Sequence, residues 1–261
     1  MNHRNQFFNL LFSFLGGLLL LFILAPLGMT LLGTTPAQFV QALTDAEVMR
    51  SIGLTFLAAG IATMLALVTG VPLAYLLARR KFRGKGLIEA VVNLPVIIPH
   101  TAAGVALLLV LGRHGLFGRW LAPLGLTFTD NVAGIVAGML FVSLPFLVNM
   151  SRESFALVDE ELERVALADG ATLGQAFLYV TLLLAWRGVM AGAVMMWARG
   201  ISEFGAVVIL AYHPKIVPVL VYERLQGFGL SAAQPVAALL ILIAILTLLV
   251  VRVALDAKQI D

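Results

Sequence analysis

The sequence predicts an all-α integral membrane protein with six transmembrane helices. Of its 261 residues, 61% are hydrophobic and only 12% are charged, about half the charged fraction of a typical soluble domain. The hydrophobic residues fall into six long runs, each close to the ~20 residues that a helix needs to cross a bilayer. These runs are 7–32, 51–78, 87–111, 132–150, 188–210 and 232–255.

The first run contains Pro26 and is too long for the apolar part of a signal peptide, and no small-residue cleavage motif follows it. We therefore predict a retained transmembrane helix. A polar connection from Thr34 to Arg50 leads to the second run, which ends in the densest basic stretch of the chain, residues 79–85.

The lysine and arginine residues predict the orientation of the helices, because loops rich in these residues stay in the cytoplasm. With six spans, one side receives eleven of them and the other side five. Both termini and the loop after the fourth run are on the richer side, so we predict that they are cytoplasmic. The net charge of +3 and the pI near 9.5 therefore reflect membrane topology, and we expect no nucleic-acid partner.

Two pairs of glycines have the small-x-x-x-small spacing that lets membrane helices pack closely. They are Gly134 with Gly138 in the fourth run and Gly188 with Gly192 in the fifth run. We expect them to mark helix packing rather than dimerisation.

Two ionisable residues, Arg199 and Glu203, lie within the fifth run. Their spacing of four places them on one face of a continuous helix. Charged groups inside a span are costly unless they are paired or line a wet cavity, so both are candidate functional residues. The alternative is a neutralising pair that only fixes helix packing.

The third run is interrupted by Pro95 and Pro99. Two prolines four residues apart remove backbone donors and predict a break near mid-membrane. A half-helix starting at Pro99 would direct its positive N-terminal dipole to that depth, an arrangement suited to an anion. His100 and Thr101 could add hydrogen-bond donors, and the alternative is a proline kink without a ligand.

Between the fourth and fifth runs lies the one cluster of carboxylates in the sequence, from Ser151 to Thr172. Asp159 can cap a helix that Gly170 ends, and Thr172 with Gln175 has capping-box spacing for the next helix. The apolar residues fall on one face of this short segment; they are Leu162, Val165, Ala166 and Leu173. The segment is either a loop helix lying on the membrane or a docking element for a soluble partner.

Several kinds of chemistry are absent from the sequence. There is no cysteine, and the four histidines lack metal-ligand spacing, so we expect no metal site. No phosphate-loop motif and no catalytic constellation can be assembled. We therefore expect no ATP site on this chain, and an energy source would have to belong to another subunit.

The stretch 163–171, followed by 179–183, resembles the EAA loop of type I ABC importer permeases. In that family the loop is the coupling helix that enters a cleft of the cytoplasmic ATPase. Ala166 and Gly170 fit the motif, whereas Arg164 stands at the usual glutamate position and Glu163 lies one position before it. Leucine 183 stands where the family usually has the proline that breaks the helix.

A finer resemblance covers almost the whole chain. Residues 94–101, 197–207, 222–224 and 230–233 look like the permease of molybdate/tungstate importers, especially the archaeal-type branch. It implies a type I ABC importer permease in the cell membrane. The implied organisation is a first helix with its external connection at 1–50, a permease core at 51–255 with a coupling loop at 159–172, and a cytoplasmic tail at 256–261.

The resemblance also implies partners and site residues. The partners are two cytoplasmic ATPase subunits that bind ATP and Mg, a second permease chain forming a homodimer, an external oxyanion-binding protein and membrane lipid. The implied ATPase-coupling residues are Glu163, Arg164, Ala166, Asp169, Gly170 and Ala171. The candidate translocation-pathway residues are Pro99, His100, Thr101, Arg199, Ser202 and Glu203.

Two other functions stay open on the sequence. Sulfate permeases have a similar glutamate-aromatic-glycine sequence in the fifth span, so sulfate or another anion is an alternative cargo. A self-sufficient channel or secondary carrier is an alternative of another class, with Arg199, Glu203 and His100 as an ion or proton path.

Overall fold

The structure, a computed structural model, describes residues 3–256, with side chains described for 8–247 and 249. Most of the predicted cytoplasmic tail, residues 257–261, lies outside the described residues. All regular structure in the described range is helical. Its α-helices are α1 His3–Leu32, α2 Pro36–Thr44, α3 Ala46–Arg79, α4 Lys85–Ile97, α5 His100–Leu111, α6 Gly118–Leu121, α7 Val132–Leu157, α8 Glu160–Ala168, α9 Leu173–Ala176, α10 Leu182–Ile201, α11 Gly205–Leu210, α12 Val217–Phe228 and α13 Leu230–Asp256.

Within the described residues, five helical segments are long and apolar enough to cross a membrane. They are Phe8–Leu32, Ala46–Arg79, Val132–Leu157, Leu173–Ile201 and Leu230–Thr247. A sixth is obtained if α4 and α5, which meet at an angle of 115°, count as one broken span. The predicted break in the third run is therefore confirmed, and the chain has five or six apolar spans.

The bounds predicted for the fifth span are wrong. The sequence analysis placed this span at 188–210, whereas the continuous helical segment is Leu173–Ile201. It includes α9, a π-helical turn at Phe177–Thr181 and α10. The helix starts early because the Thr172 capping box is formed. It ends at Ile201, and beyond its end the Glu203 side chain accepts the Ala206 N–H in the first turn of α11 at 2.9 Å.

One compact unit of the chain combines Met1–Ile52 with Leu220–Asp261. In it α13 packs on α1 and α2, and Gln234 donates a hydrogen bond to the Thr30 carbonyl at 3.3 Å. Arg224 on α12 is 2.6 Å from Asp45, which holds the end of α12 to the connection between α2 and α3. No part of the apolar segment Phe8–Leu32 is buried inside the chain.

The second unit, Gly53–Val219, holds the main core. Here α7 packs along α10 and α11 packs against α5. The core is built from small and flexible apolar side chains; fully buried members include Ala58, Ala62, Ile135, Met139, Leu147 and Met196. Such residues let helix backbones approach closely, which is the usual way for membrane helices to gain van der Waals contact.

The predicted glycine pairs lie at these contacts. A Cβ atom on Gly192 would lie 3.1 Å from the Met150 Cβ, and one on Gly138 would lie 3.2 Å from the Val207 side chain. Gly188 contacts Ser154 and Gly134 contacts Ala211 in the same way. The prediction that both pairs mark helix packing is confirmed, with α7 against α10 and α7 against α11.

Replacing Gly188 by leucine should force α7 and α10 apart, because a Cβ there would lie 2.6 Å from the Ser154 Cβ. Overpacking a close contact costs about 1–3 kcal/mol. We expect the solubilised protein to lose its monodisperse size-exclusion peak at a lower temperature than the wild type. Gly53→Leu is the matched control, because nothing lies within 4 Å of a Cβ at that glycine. Equal heat resistance of both variants would contradict the packing role.

Candidate functional site

The charged loop between α7 and α10 folds as its capping residues predict. The Asp159 side chain accepts the Glu161 N–H at 2.9 Å and caps α8. Gly170 ends the helix with φ of 95°, a left-handed conformation that glycine adopts without a Cβ penalty. Thr172 and Gln175 form the complete capping box that starts α9. The loop is therefore a defined two-helix element rather than an irregular connection.

The Glu163 side chain on α8 points towards α3 and the turn before α10. Its carboxylate accepts hydrogen bonds from Tyr75 at 2.9 Å and Arg79 at 2.8 Å, both on α3. Thr181, in the π-helical turn before α10, donates a further hydrogen bond to it. Burial by itself raises the pKa of the Glu163 carboxyl, but the hydrogen bonds from Thr181, Tyr75 and Arg79 outweigh it and bring the pKa below its ordinary value. The carboxylate is therefore charged at neutral pH and ties α8 to both neighbouring helices.

The side chains on the other face of the loop are mostly exposed, and the Arg164 guanidinium lies 3.8 Å from the exposed Glu161 carboxylate of the same helix. Arg164 and Asp169 are exposed, and Ala166 and Ala171 are half-buried beside the exposed Gly170. Large apolar side chains lie among them with high exposure: Leu162 47%, Val165 59%, Leu167 36% and Leu173 61%. An apolar patch on an amphipathic helix outside the spans is typical of an interaction surface.

Sequence reasoning missed the anchor of this loop. Tyr75 and Thr181 are 88 and 18 residues from Glu163 in the chain; Tyr75 lies in no motif, and Thr181 lies in the stretch 179–183 without a predicted role. Arg79 was recognised only as one of the basic residues after the second run. The chain continues through the π-helical turn into α10 without a break at residues 182–183, and π turns inside helices are frequent at functional sites.

The second candidate site lies where the third span bends. α4 ends at Ile97 and α5 begins at His100, with Pro99 at the N-cap position and no side chain capping the helix. Pro95 is buried inside α4. The two prolines thus do what the sequence predicts, and the first turn of the second half-helix carries His100 and the exposed Thr101.

His100, Arg199 and Glu203 form one cluster. The Glu203 Oε2 atom is 3.0 Å from His100 Nδ1 and 3.1 Å from Arg199 Nη2. The Glu203 side chain is 1% exposed, whereas that of Arg199 is 23% and that of His100 is 34% exposed. Ser202 accepts a hydrogen bond from Arg199 Nη1 at 3.2 Å. Arg199 and Glu203 are therefore paired, as in the alternative of a neutralising pair, but the prediction of one face of a continuous helix is wrong, because α10 ends at Ile201.

Close backbone approach brings this cluster together. A Cβ on Gly205 would lie 2.7 Å from the His100 Cβ, and one on Gly104 would lie 2.8 Å from the Ile209 Cβ. These glycines let α11 lie directly on α5, which places Glu203 beside His100 although the two residues are 103 positions apart in the chain. The sequence analysis did not identify them, because a lone glycine gives no signal of which helix it will meet.

A further polar contact that the sequence analysis missed joins α4 to α7. Arg152 is 2.8 Å from the Glu89 carboxylate, and Asn149 donates a hydrogen bond to Asn93 at 2.6 Å. Glu89 and Asn93 are one helical turn apart on α4, so the two contacts form a partly buried polar ladder. Arg152 on α7, like Arg199 on α10, therefore lies beside a carboxylate.

Comparison with known proteins gives a consistent result. The family of binding-protein-dependent transport system inner membrane components matches residues 70–257. The chain is 37% identical over 258 residues to the molybdate/tungstate transport system permease protein WtpB of Thermococcus kodakarensis, covering 98% of this chain and 99% of that protein. It is 38% identical to WtpB of Pyrococcus furiosus, covering 95% and 96%, and 31% identical to the sulfate transport system permease protein CysT of Escherichia coli, covering 88% and 85%.

A solved structure supports the fold. A bacterial ABC transporter involved in the import of the acidic polysaccharide alginate contains a chain that matches with a TM-score of 0.73, at 16% identity, over 98% of this chain and 96% of that one. At that identity the likeness concerns the fold alone. Together with the family match and the apolar spans, it establishes that this chain is a multi-pass membrane protein that belongs to the family of binding-protein-dependent transport system inner membrane components.

Proposed function

We propose that this chain is the permease subunit of an ATP-driven importer that moves tungstate and molybdate into the cell, coupled to a separate ATPase through α8. The near full-length similarity to molybdate/tungstate permeases from archaea supports the cargo. The observation that carries the coupling role is the geometry of α8, whose outward face exposes apolar side chains among charged ones while Glu163 fastens its inward face to α3 and to the start of α10.

The coupling mechanism follows from that geometry. An ATPase that closes on nucleotide pushes or pulls the outward face, where Arg164, Ala166, Asp169, Gly170 and Ala171 lie around the apolar patch. Because the Glu163 carboxylate is hydrogen-bonded to α3 and to the turn before α10, a displacement of α8 also moves these two spans. A partly buried, charge-assisted hydrogen-bond network suits this task because it is stiffer than an exposed ion pair.

The bent third span and the end of α10 support a translocation pathway. Pro99, His100, Thr101, Arg199, Ser202 and Glu203 place hydrogen-bond donors and one cationic side chain at a broken helix. Broken helices with polar termini are where membrane transporters commonly bind their cargo. A tetrahedral oxyanion dianion needs such donors after it loses water.

The proposed assembly has two copies of this chain, two cytoplasmic ATPase subunits that hold ATP and Mg, and an external oxyanion-binding protein. The apolar segment Phe8–Leu32 of α1, which has no buried residue, supports the second copy, because its apolar surface has to be covered by lipid or by another chain. Both termini face the cytoplasm in this arrangement, and the complex resides in the cell membrane. The permease itself carries out no catalysis.

Sulfate is the second candidate cargo, favoured by the 31% identity to the sulfate permease over 235 residues. Tungstate, molybdate and sulfate are all tetrahedral dianions, and they differ chiefly in size. The identity to molybdate/tungstate permeases is higher and extends over more of the chain, so we place sulfate second.

The cargo is tested by ATP hydrolysis of the reconstituted complex with its external binding protein. We expect tungstate or molybdate to stimulate hydrolysis at a concentration at least about tenfold lower than sulfate, a difference of about 1.4 kcal/mol in effective affinity. An equal response to the three anions would contradict the proposed cargo, and no response to any of them would contradict the importer itself.

Removing the anchor of α8 should uncouple the complex. Glu163→Ala leaves Arg79 without its carboxylate and removes three hydrogen bonds, which contribute about 1.5–3 kcal/mol when charge-assisted. We expect oxyanion-stimulated transport to fall at least about tenfold, while the ATPase still co-purifies through the outer face. Glu161→Ala is the control, because that carboxylate is 74% exposed and only 3.8 Å from an equally exposed arginine. Normal transport by Glu163→Ala would show that the anchor is not needed.

The outer face of α8 is tested by placing a charge in its apolar patch. Leu162→Asp should weaken ATPase binding, because a carboxylate buried against an apolar cleft has no partner there. The ATPase should be lost from the purified complex while the permease remains folded and membrane-inserted. Leu126→Asp, at a residue that is 54% exposed in the connection before α7, should leave ATPase binding unchanged. Retention of the ATPase by Leu162→Asp would place the docking surface elsewhere.

A further inference from the structure

Glu203 is an unusual residue to find on an anion pathway. Its side chain is 1% exposed, and it lies two residues beyond the end of the apolar span Leu173–Ile201. A buried carboxylate repels a dianion and is costly unless it is paired, so a purely structural role would be served as well by an uncharged residue. Its partners indicate what it does.

The partners of Glu203 are three kinds of donor that would also bind an oxyanion. Arg199 and His100 lie 3.1 and 3.0 Å from Oε2, at ion-pair distance but without a hydrogen bond to that buried atom, and Arg199 Nη2 is also 2.8 Å from His100 Nδ1. The Ala206 N–H donates to Oε1 at 2.9 Å. A guanidinium, a ring nitrogen and a backbone amide around two oxygen atoms form an anion site that is already occupied by the chain's own carboxylate. The anion in this site is therefore Glu203 itself.

The two side-chain donors are open on the side away from Glu203. Arg199 and His100 are 23% and 34% exposed, and the hydroxyl of the exposed Ser202 is within 3.2 Å of the guanidinium. An oxyanion that reaches the bend of the third span meets these groups from the open side. Because Glu203 neutralises the arginine from behind, the cluster attracts such an anion weakly in this conformation.

We propose that Glu203 is a resident competitor for the transported oxyanion. Its carboxylate occupies Arg199 and His100 in this conformation, and these groups exchange the carboxylate for the oxyanion during passage. This inference rests on the proposed function, since it concerns the same pathway. Competition keeps the oxyanion from being held tightly, which transport requires because a permeation site has to release what it binds.

The test is tungstate binding to the purified complex of permease and ATPase, without nucleotide or external binding protein, by equilibrium dialysis with radioactive tungstate. Glu203→Gln removes the charge and keeps an amide oxygen that can accept the Ala206 N–H. We expect it to bind tungstate at least about tenfold more tightly than the wild type and to transport it more slowly, because Arg199 and His100, freed of the carboxylate, retain the anion.

Three further variants make the result specific. Glu89→Gln is the matched control, because Glu89 also lies 2.8 Å from an arginine, on the α4–α7 ladder, and it should bind tungstate like the wild type. Arg199→Met combined with Glu203→Gln removes both charges and should bind no better than the wild type. If Glu203→Gln fails to assemble, Glu203→Asp is used instead. Its side chain is shorter by one methylene, which moves the carboxylate away from Arg199 and His100 and should give an intermediate gain in tungstate affinity.

The inference and the proposed function fail in different ways. Unchanged tungstate affinity in Glu203→Gln, or in Glu203→Asp if it alone assembles, with a wild-type complex that transports tungstate, overturns the competitor role and leaves the importer intact. An equal gain in Glu89→Gln also overturns it, because the effect would then be one of net charge. A wild-type complex that transports no tetrahedral oxyanion from its binding protein overturns the proposed function, and this inference with it.

Discussion

The arrangement of the second unit depends on the buried carboxylate of Glu203. A buried charge has to be paired, and here its partners come from the first turn of α5, the last turn of α10 and the first turn of α11. One side chain thus joins three elements that meet at the bend of the third span. The glycines at 104 and 205 allow this closeness, and those at 134, 138, 188 and 192 keep α10 and α11 on α7. The bend of the third span and the close helix packing around it therefore depend on each other.

A second anchored carboxylate, Glu163, lies outside the spans and holds the loop between α7 and α10. The two anchors are connected by α10, which starts after Thr181 and carries Arg199 in its last turn. Its 20 residues correspond to a length of about 30 Å, roughly the thickness of the hydrocarbon core. We infer that a displacement of α8 reaches the cluster of Arg199 through this helix. The loop and the pathway would then be two ends of one rigid element.

The two anchors also explain why ionisable residues are tolerated in a chain with so few of them. Only 12% of the residues are charged, yet Arg79, Arg152 and Arg199 each lie within 3.1 Å of a glutamate. Neutralisation within the chain lets a cation remain at a helix contact or along a pathway without the full cost of burial. It also leaves each cation available if its carboxylate is moved away.

By itself the sequence determined the features that depend on neighbours a few residues apart. Hydrophobic runs predicted the spans, Pro95 and Pro99 predicted the break, and Asp159, Gly170, Thr172 and Gln175 predicted the two-helix loop, because capping and proline effects act within one helical turn.

Only the tertiary structure decided that Glu163 faces Tyr75 and Arg79, that Glu203 lies beyond the end of α10, and which helix each glycine meets. These contacts join residues as much as 103 positions apart, and such a pairing is chosen by the packing of whole helices, which no local pattern encodes.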